Sequence, residues 1–195
     1  MKDMLAIDFE QQEGITVPYP PLFDGVRNNY GFVDLRGRPD LAARISEGCA
    51  SDALKNLLVR LSERGSPFFT VGCDLGSHEE PDGDKNARYV AGGYVQLMHC
   101  RYADRSPEDY YSFGEVIAKE LGELSQDHSW LLRFVLTFVA FNLDDFSSLT
   151  PSVWMWFYAK GHNPEAAVAS REILISEFRE TLASKQLNLL LEEWC

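Results

Sequence analysis

Alternation of apolar and polar residues marks two long strands in the second half of the chain. From Trp130 to Leu143, large apolar side chains recur at every second position, with Arg133 and Thr137 between them. The run from Val153 to Ala159 repeats the alternation. A period of two, together with aromatic and β-branched side chains, is typical of strands rather than helices. Because the turn-prone segment from Asp144 to Pro151 separates the two runs, they are predicted to be long neighbouring strands.

An earlier pair of apolar runs predicts a hairpin. The runs extend from Phe68 to Leu75 and from Arg88 to Cys100, and the segment between them contains an Asp-Gly pair at Asp82. Asp-Gly between two apolar runs is a turn signal. Two adjacent glycines, Gly92 and Gly93, interrupt the second run and indicate a bulge or a close approach by another segment.

Helices are predicted where apolar residues recur three and four positions apart between capping residues. The clearest helix follows Ser51, whose hydroxyl suits an N-cap, and ends near Gly65. The other predicted helices run from Pro39 to Ile45, from Pro107 to Leu124, from Pro164 to about Ser184 and from Leu187 to Trp194. Asn163 is the predicted N-cap of the helix that begins at Pro164.

The start of the chain is less regular. Residues 1–30 are predicted to form an irregular arm that lies on the main body, with a strand from Leu5 to Phe9, and a short strand is predicted from Gly31 to Leu35. The order of elements predicts an α+β fold with a mainly antiparallel sheet of about five strands and helices packed on one face. We expect residues 1–195 to form a single domain.

The charge of the chain limits its partners. Thirty acidic residues against 18 basic ones give a formal net charge of -12. Such a field repels nucleic acid and anionic membranes but favours encounter with a basic protein. Acids in the first ten residues argue against a secretory signal, and the run from Trp130 to Leu143 is too short for a membrane helix. A cytoplasmic protein is therefore expected.

Catalytic chemistry has little support in the residue pattern. Cys73 with His78 or His99 would provide a nucleophile and a base, but neighbouring acids disfavour the thiolate. The histidines and the four separated cysteines lack metal-ligand spacing, and the glycines do not form a phosphate-binding loop. No catalytic residue, metal or cofactor is therefore predicted, and the residue pattern favours a binding protein over an enzyme.

Unbalanced acidic residues are the candidate partner-binding groups. They lie in the loop of the predicted hairpin and on the helix that begins at Pro107, where one lysine faces many acids. Such a surface suits docking of a basic protein, although simple solubilisation explains any single residue equally well. The candidates are Glu79, Glu80, Asp82, Asp84, Glu108, Asp109, Glu115 and Glu123.

Three aromatic residues, Trp154, Trp156 and Tyr158, share one face of the last predicted strand. They are expected to belong to the core, and the alternative is an open aromatic platform for binding.

In size, acidity, tryptophan content and α+β pattern, the chain resembles bacterial immunity proteins of polymorphic toxin systems. The resemblance is to the class and not to a motif. It implies an acidic protein that neutralises a basic toxin by blocking its active site. One alternative is a small-molecule enzyme or ligand-binding domain with a sheet-helix pocket that uses Arg133, His99 and Tyr94. The other is a structural or regulatory homodimer, joined through an edge strand or the segment around Trp194.

Overall fold

The computed structural model describes residues 5–9, 16–23, 28–80, 88–124 and 130–193. The strands are β1 (Leu5–Phe9), β2 (Thr16–Val17), β3 (Leu22–Phe23), β4 (Asn28–Asn29), β5 (Phe68–Glu79), β6 (Tyr89–His99), β7 (Trp130–Leu143) and β8 (Phe146–Gly161). The helices are α1 (Pro39–Ala42), α2 (Ser46–Cys49), α3 (Asp52–Ser62), α4 (Pro107–Leu124), α5 (Pro164–Thr181) and α6 (Lys185–Glu193), with a 3-10 turn at Tyr102–Asp104. The predicted α+β class is confirmed.

The main sheet is mixed rather than mainly antiparallel. Its strand order is β1-β7-β8-β6-β5, and β2 also pairs with β7. The pairs from β7 to β5 are antiparallel, whereas β1 and β2 both run parallel to β7. The prediction of a mainly antiparallel sheet is wrong at this edge because no hairpin connects the arm to β7. A long connection permits parallel pairing, which local turn signals do not reveal.

The β7–β8 hairpin is tighter than predicted. Asp144 and Asp145 have φ angles of 56° and 60°, the left-handed conformation that a two-residue hairpin turn requires. Strand β8 therefore begins at Phe146 and includes residues that the sequence assigned to the turn. Arg36 donates to the Asp144 carboxylate at 2.6 Å, which ties this turn to the segment before α1.

The principal core lies between the sheet and the long helices. Its cluster combines Leu57 of α3, Phe113 of α4 and Phe178 of α5 with Met155 and Phe157 of β8. That all helices pack on one face of the sheet stays a prediction.

The predicted N-caps are confirmed. Leu54 donates its backbone N–H to the Ser51 hydroxyl at 3.0 Å, and Ala166 donates to the Asn163 side chain at 2.7 Å.

Two local predictions are wrong. Residues 31–35 form no strand, because Gly31 takes a φ of +83° and Asp34 bonds the Arg36 side chain and backbone locally. The helix predicted from Pro39 to Ile45 ends at Ala42, and the chain turns there into the separate helix α2. Among the residues that the structure describes, no helix is long and apolar enough to cross a membrane.

Candidate functional site: a groove along the edge of the sheet

A groove with a volume of about 1180 Å³ lies along β5 and the adjoining parts of β6 and β8. Strand β5 is the last strand of the sheet, so the groove follows an edge. Residues of the N-terminal arm, including Tyr19 and Tyr30, line it, and so do Arg44 and Glu47 near α2. The site is therefore an open trough along a strand rather than an enclosed cavity.

A row of aromatic side chains on β8 forms one wall. Trp154, Trp156 and Tyr158 alternate with the buried Met155 and Phe157, which belong to the core on the opposite face. The ring planes of Trp154 and Trp156 differ by 11°, and those of Trp156 and Tyr158 by 8°. All three aromatic residues of the row are only partly buried. The alternative interpretation of these residues, an open aromatic platform, therefore describes them better than core.

Buried polar groups hold this wall in place. The Trp154 indole N–H donates to the Thr137 hydroxyl at 3.1 Å, and that hydroxyl lies 3.0 Å from the hydroxyl of Ser152. The Gln96 amide also donates to Ser152, at 2.8 Å. Satisfied buried polar networks rigidify the residues they join. Tyr94 packs at an angle against Trp154, with ring centroids 4.4 Å apart, and so adds a ring contact to the wall.

Glycines form the floor of the groove. A Cβ atom at Gly76 would meet nothing within 4 Å, whereas at Gly92 it would lie 3.3 Å from the Tyr158 ring. The Tyr158 ring thus lies over Gly92 and faces the empty space above Gly76. Because neither glycine has a positive φ, their role here is to leave room rather than to permit an unusual backbone.

The outer edge of β5 presents backbone groups to the groove. Glu80 donates its N–H to Arg88, and in an antiparallel ladder the residues that bond the neighbouring strand alternate with residues that face outward. The backbone N–H and C=O groups of Cys73, Leu75, Ser77 and Glu79 therefore point away from β6.

Two side chains already occupy part of this edge. The Leu75 N–H donates to the Asp74 carboxylate at 2.8 Å, and the Tyr19 hydroxyl donates to the Val71 carbonyl at 3.2 Å. Among the described residues, β5 has a strand partner on one side only.

Exposed apolar residues of the arm extend the rim of the groove. Leu22, Phe23 and Tyr30 are each about 60% exposed, at 61%, 60% and 61%. Phe23 and Tyr30 contact each other edge to face, and Tyr30 also lines the groove. Exposed apolar side chains that adjoin a groove are a feature of interaction sites.

Ionisation in the groove does not favour nucleophilic chemistry. Burial, with Glu47 and Asp74 nearby, raises the pKa of the Cys73 thiol to about 12. Burial also raises the pKa of Tyr19 to about 12 and raises that of Tyr94. These groups stay protonated at neutral pH, so Cys73 is not an activated nucleophile. Their chemistry is that of hydrogen-bond donors and ring surfaces.

The acidic residues predicted to bind a partner are divided between two ends of the sheet. Glu79 pairs with Arg88, and Glu80 pairs with Lys160 at 2.6 Å, both at the hairpin end of β5 and β6. Asp82 and Asp84 lie outside the described residues.

The helical acids lie elsewhere. Asp109 accepts from the Ser106 N–H at 2.9 Å and lies near Arg105, whereas Glu108 and Glu115 are exposed on α4. The Glu123 side chain lies outside the part of the chain that the structure describes.

The first turn of α4 lies at the far end of β6 from the hairpin. Tyr110, which follows Asp109 in α4, accepts a hydrogen bond from the N–H of His99, the last residue of β6. Strand β6 has 11 residues, so its ends are about 33 Å apart. The hairpin acids and the first-turn acids of α4 therefore do not form one compact surface.

Of the three residues predicted to line a pocket, Tyr94 lies in the groove. Arg133 is the register partner of Trp156 on β7, on the aromatic face but beyond the lining of the groove. His99 is buried at the far end of β6 against Phe68, and its Nδ1 accepts from the Arg101 N–H at 3.1 Å.

Sequence reasoning missed Asp74 and Gly76 as groove residues. The alternation along residues 68–75 was the available signal, because it places Asp74 on the same face as Tyr94 once the hairpin register is known.

Among the described residues, no group of three or more His, Cys, Asp and Glu side chains is arranged to hold a metal ion. No protein-family profile matches the chain, and no curated protein or solved structure shows significant similarity to it.

Proposed function

We propose that the protein is a binding protein that adds an extended basic segment of a partner protein to the outer edge of β5. The observation that carries the proposal is the row of outward backbone groups from Cys73 to Glu79 beside a preformed aromatic groove. A peptide that joins a sheet edge gains main-chain hydrogen bonds, and its alternate side chains enter pockets on the sheet face.

The dimensions favour a polypeptide over a small molecule. Pockets for small ligands usually have volumes of about 300–1,000 Å³ and enclose most of the ligand. The groove is larger, at about 1180 Å³, and is open along β5. The exposed Phe23 side chain contacts Tyr30 at the rim and continues the apolar surface of the groove over the arm. The helical layer, which we infer covers the opposite face, leaves this face available.

Charge favours a basic partner over a second copy of the chain. The net charge is -12, and Asp74 lies on the edge strand itself, where Glu79 is already paired with Arg88. Charged residues on an edge strand oppose self-pairing. The same charges attract a cationic segment and raise its association rate at low salt. Neutralisation of a basic toxin by blocking its active site, which the sequence resemblance implies, is one form that this function takes.

Selection of short random peptides on the full chain tests the proposal. We expect the selected peptides to be rich in Arg and Lys and to slow amide hydrogen exchange at Ser77 and Glu79, whose N–H groups face outward. Replacing Ser77 with proline removes one outward N–H and leaves the bonds to β6, so affinity should fall about tenfold. Calorimetry measures the affinity, and exchange measured by NMR locates the bound strand.

Leu149→Trp is the matched control for a bulky substitution in the groove. Leu149 is 61% exposed on β8, away from the groove lining, so the tryptophan adds bulk without blocking the site. Gly76→Trp adds the same bulk inside the groove and should abolish binding. Equal affinity for the two tryptophan variants, or failure to select any peptide, would refute the proposal.

A small-molecule binding site is the second candidate, and the aromatic row from Trp154 to Tyr158 is the observation that favours it. Flat rings on a rigid wall suit planar or sugar-like ligands as well as side chains. If a neutral small ligand binds the groove and Gly76→Trp prevents this while Ser77→Pro does not, the ligand uses the rings and not the strand edge. That outcome would replace the first proposal by the second.

A further inference from the structure

The space above Gly76 has the form of a side-chain subsite. Asp74, Tyr94 and Trp156 are successive register partners across β5, β6 and β8, so their side chains form a row on one face of the sheet. The adjoining row consists of Gly76, Gly92 and Tyr158. Two of its three members have no side chain, which leaves a slot with a glycine floor.

Ring and carboxylate groups surround this slot. Tyr158 lies over Gly92 at one end of the slot, and Asp74 precedes Gly76 by two residues on the same face of β5. The Tyr94 ring lies on the far side of Asp74, where its Cε2 would be 3.8 Å from a Cβ atom at Gly72. The Asp74 carboxylate accepts from the Leu75 N–H through Oδ1, and Asp74 is an exposed residue that lines the groove. Among the described residues, no hydrogen bond or ion pair occupies Oδ2 of Asp74.

We propose that this slot binds an arginine side chain of the partner segment, which makes the inference dependent on the proposed function. A guanidinium is planar, stacks on aromatic rings and pairs with a carboxylate, so it matches both kinds of group around Gly76. A neutral side chain would satisfy the rings but leave Asp74 without a partner.

Other charged groups near the slot bear on its preference. His78 follows Gly76 on the same face of β5 and lies 4.0 Å from Glu80. Arg44 and Glu47 line the groove near α2 and oppose each other in sign. Both compounds are therefore compared at one fixed pH, so that the state of these groups is the same in the two titrations.

N-acetyl-arginine amide and its neutral near-isostere N-acetyl-citrulline amide test the assignment. NMR titration of the full chain should show shifts at Gly76, Tyr94 and Tyr158, and the arginine compound should bind at least about fivefold more tightly. Asp74→Asn keeps an acceptor for the Leu75 N–H but removes the charge. The preference for arginine should disappear in this variant.

Glu192→Gln is the control, because it removes one exposed carboxylate from α6, outside the groove. It should leave the preference unchanged. Equal binding of the two compounds to the unaltered chain, or an equal loss in Glu192→Gln and Asp74→Asn, would overturn the assignment. If selected peptides still slow amide exchange at Ser77 and Glu79 in Asp74→Asn, the proposed function stands even where the arginine assignment fails. If no peptide slows exchange at these two residues in the unaltered chain, the proposed function itself is refuted.

Discussion

Replacing Gly93 with alanine should lower the free energy of unfolding by about 3 kcal/mol. A Cβ atom at this position would lie 2.5 Å from the Asp74 carbonyl oxygen and 2.7 Å from a methyl carbon of Leu75. The first contact is with backbone, so β5 and β6 must move apart to relieve it. Urea unfolding followed by circular dichroism measures the loss.

Alanine at Gly76, on the same hairpin, is the matched control. A Cβ atom there meets nothing within 4 Å. Alanine is favoured over glycine in a strand by about 0.5–1 kcal/mol, so this variant should be as stable as the unaltered chain or slightly more stable. If both variants were destabilised alike, the groove would not be open above Gly76. If neither variant were destabilised, β5 would not approach Gly93 as closely as the structure shows.

Acidification should destabilise the protein through His99. Burial lowers the pKa of its imidazole from 6.5 to about 4, with Arg105 and Arg101 adding to the effect and Asp109 opposing it. The Arg101 N–H donates to Nδ1, which therefore carries no proton in the folded state. Above pH 6.5 the folded and unfolded states are both neutral at this residue, and pH has no effect through it.

Below pH 6.5 the unfolded chain binds a proton that the folded chain excludes. The free energy of unfolding should therefore fall as the pH falls, by about 3 kcal/mol in all, until the pH reaches the folded pKa of about 4. His99→Asn keeps an acceptor for Arg101 and does not titrate. Subtracting its stability profile from that of the unaltered chain isolates this contribution, and parallel profiles would show that His99 is not the cause.

Local signals were sufficient for most elements of the fold. The alternation in residues 130–143 and the caps at Ser51 and Asn163 each depend on a few neighbouring residues, and the structure has these elements where they were predicted. The parallel pairing of Leu5–Phe9 with β7 depends on residues more than a hundred positions away. No local pattern specifies such a contact, which is why the sheet was predicted as mainly antiparallel.

The groove was only partly predictable for a similar reason. Alternation placed Trp154, Trp156 and Tyr158 on one face but did not reveal whether that face was covered. The answer depends on Gly76 and Gly92, which have no side chains, and on their alignment with Tyr158 across three strands. The acidic candidates were predicted from their grouping on one helix and in one loop, whereas the distance between these two groups depends on the sheet that separates them.

The hydroxyl of Tyr19 on the Val71 carbonyl has a consequence for the length of any segment that joins β5. The Tyr19 hydroxyl occupies the outer edge of β5 at one end, and β5 ends at Glu79 at the other. The stretch from Cys73 to Glu79, about 20 Å long, lies between these two points, and within it the Leu75 N–H is already bonded to Asp74. The arm therefore limits the length of a partner segment that can pair with β5, and residues of a longer segment would add no main-chain hydrogen bonds to the sheet.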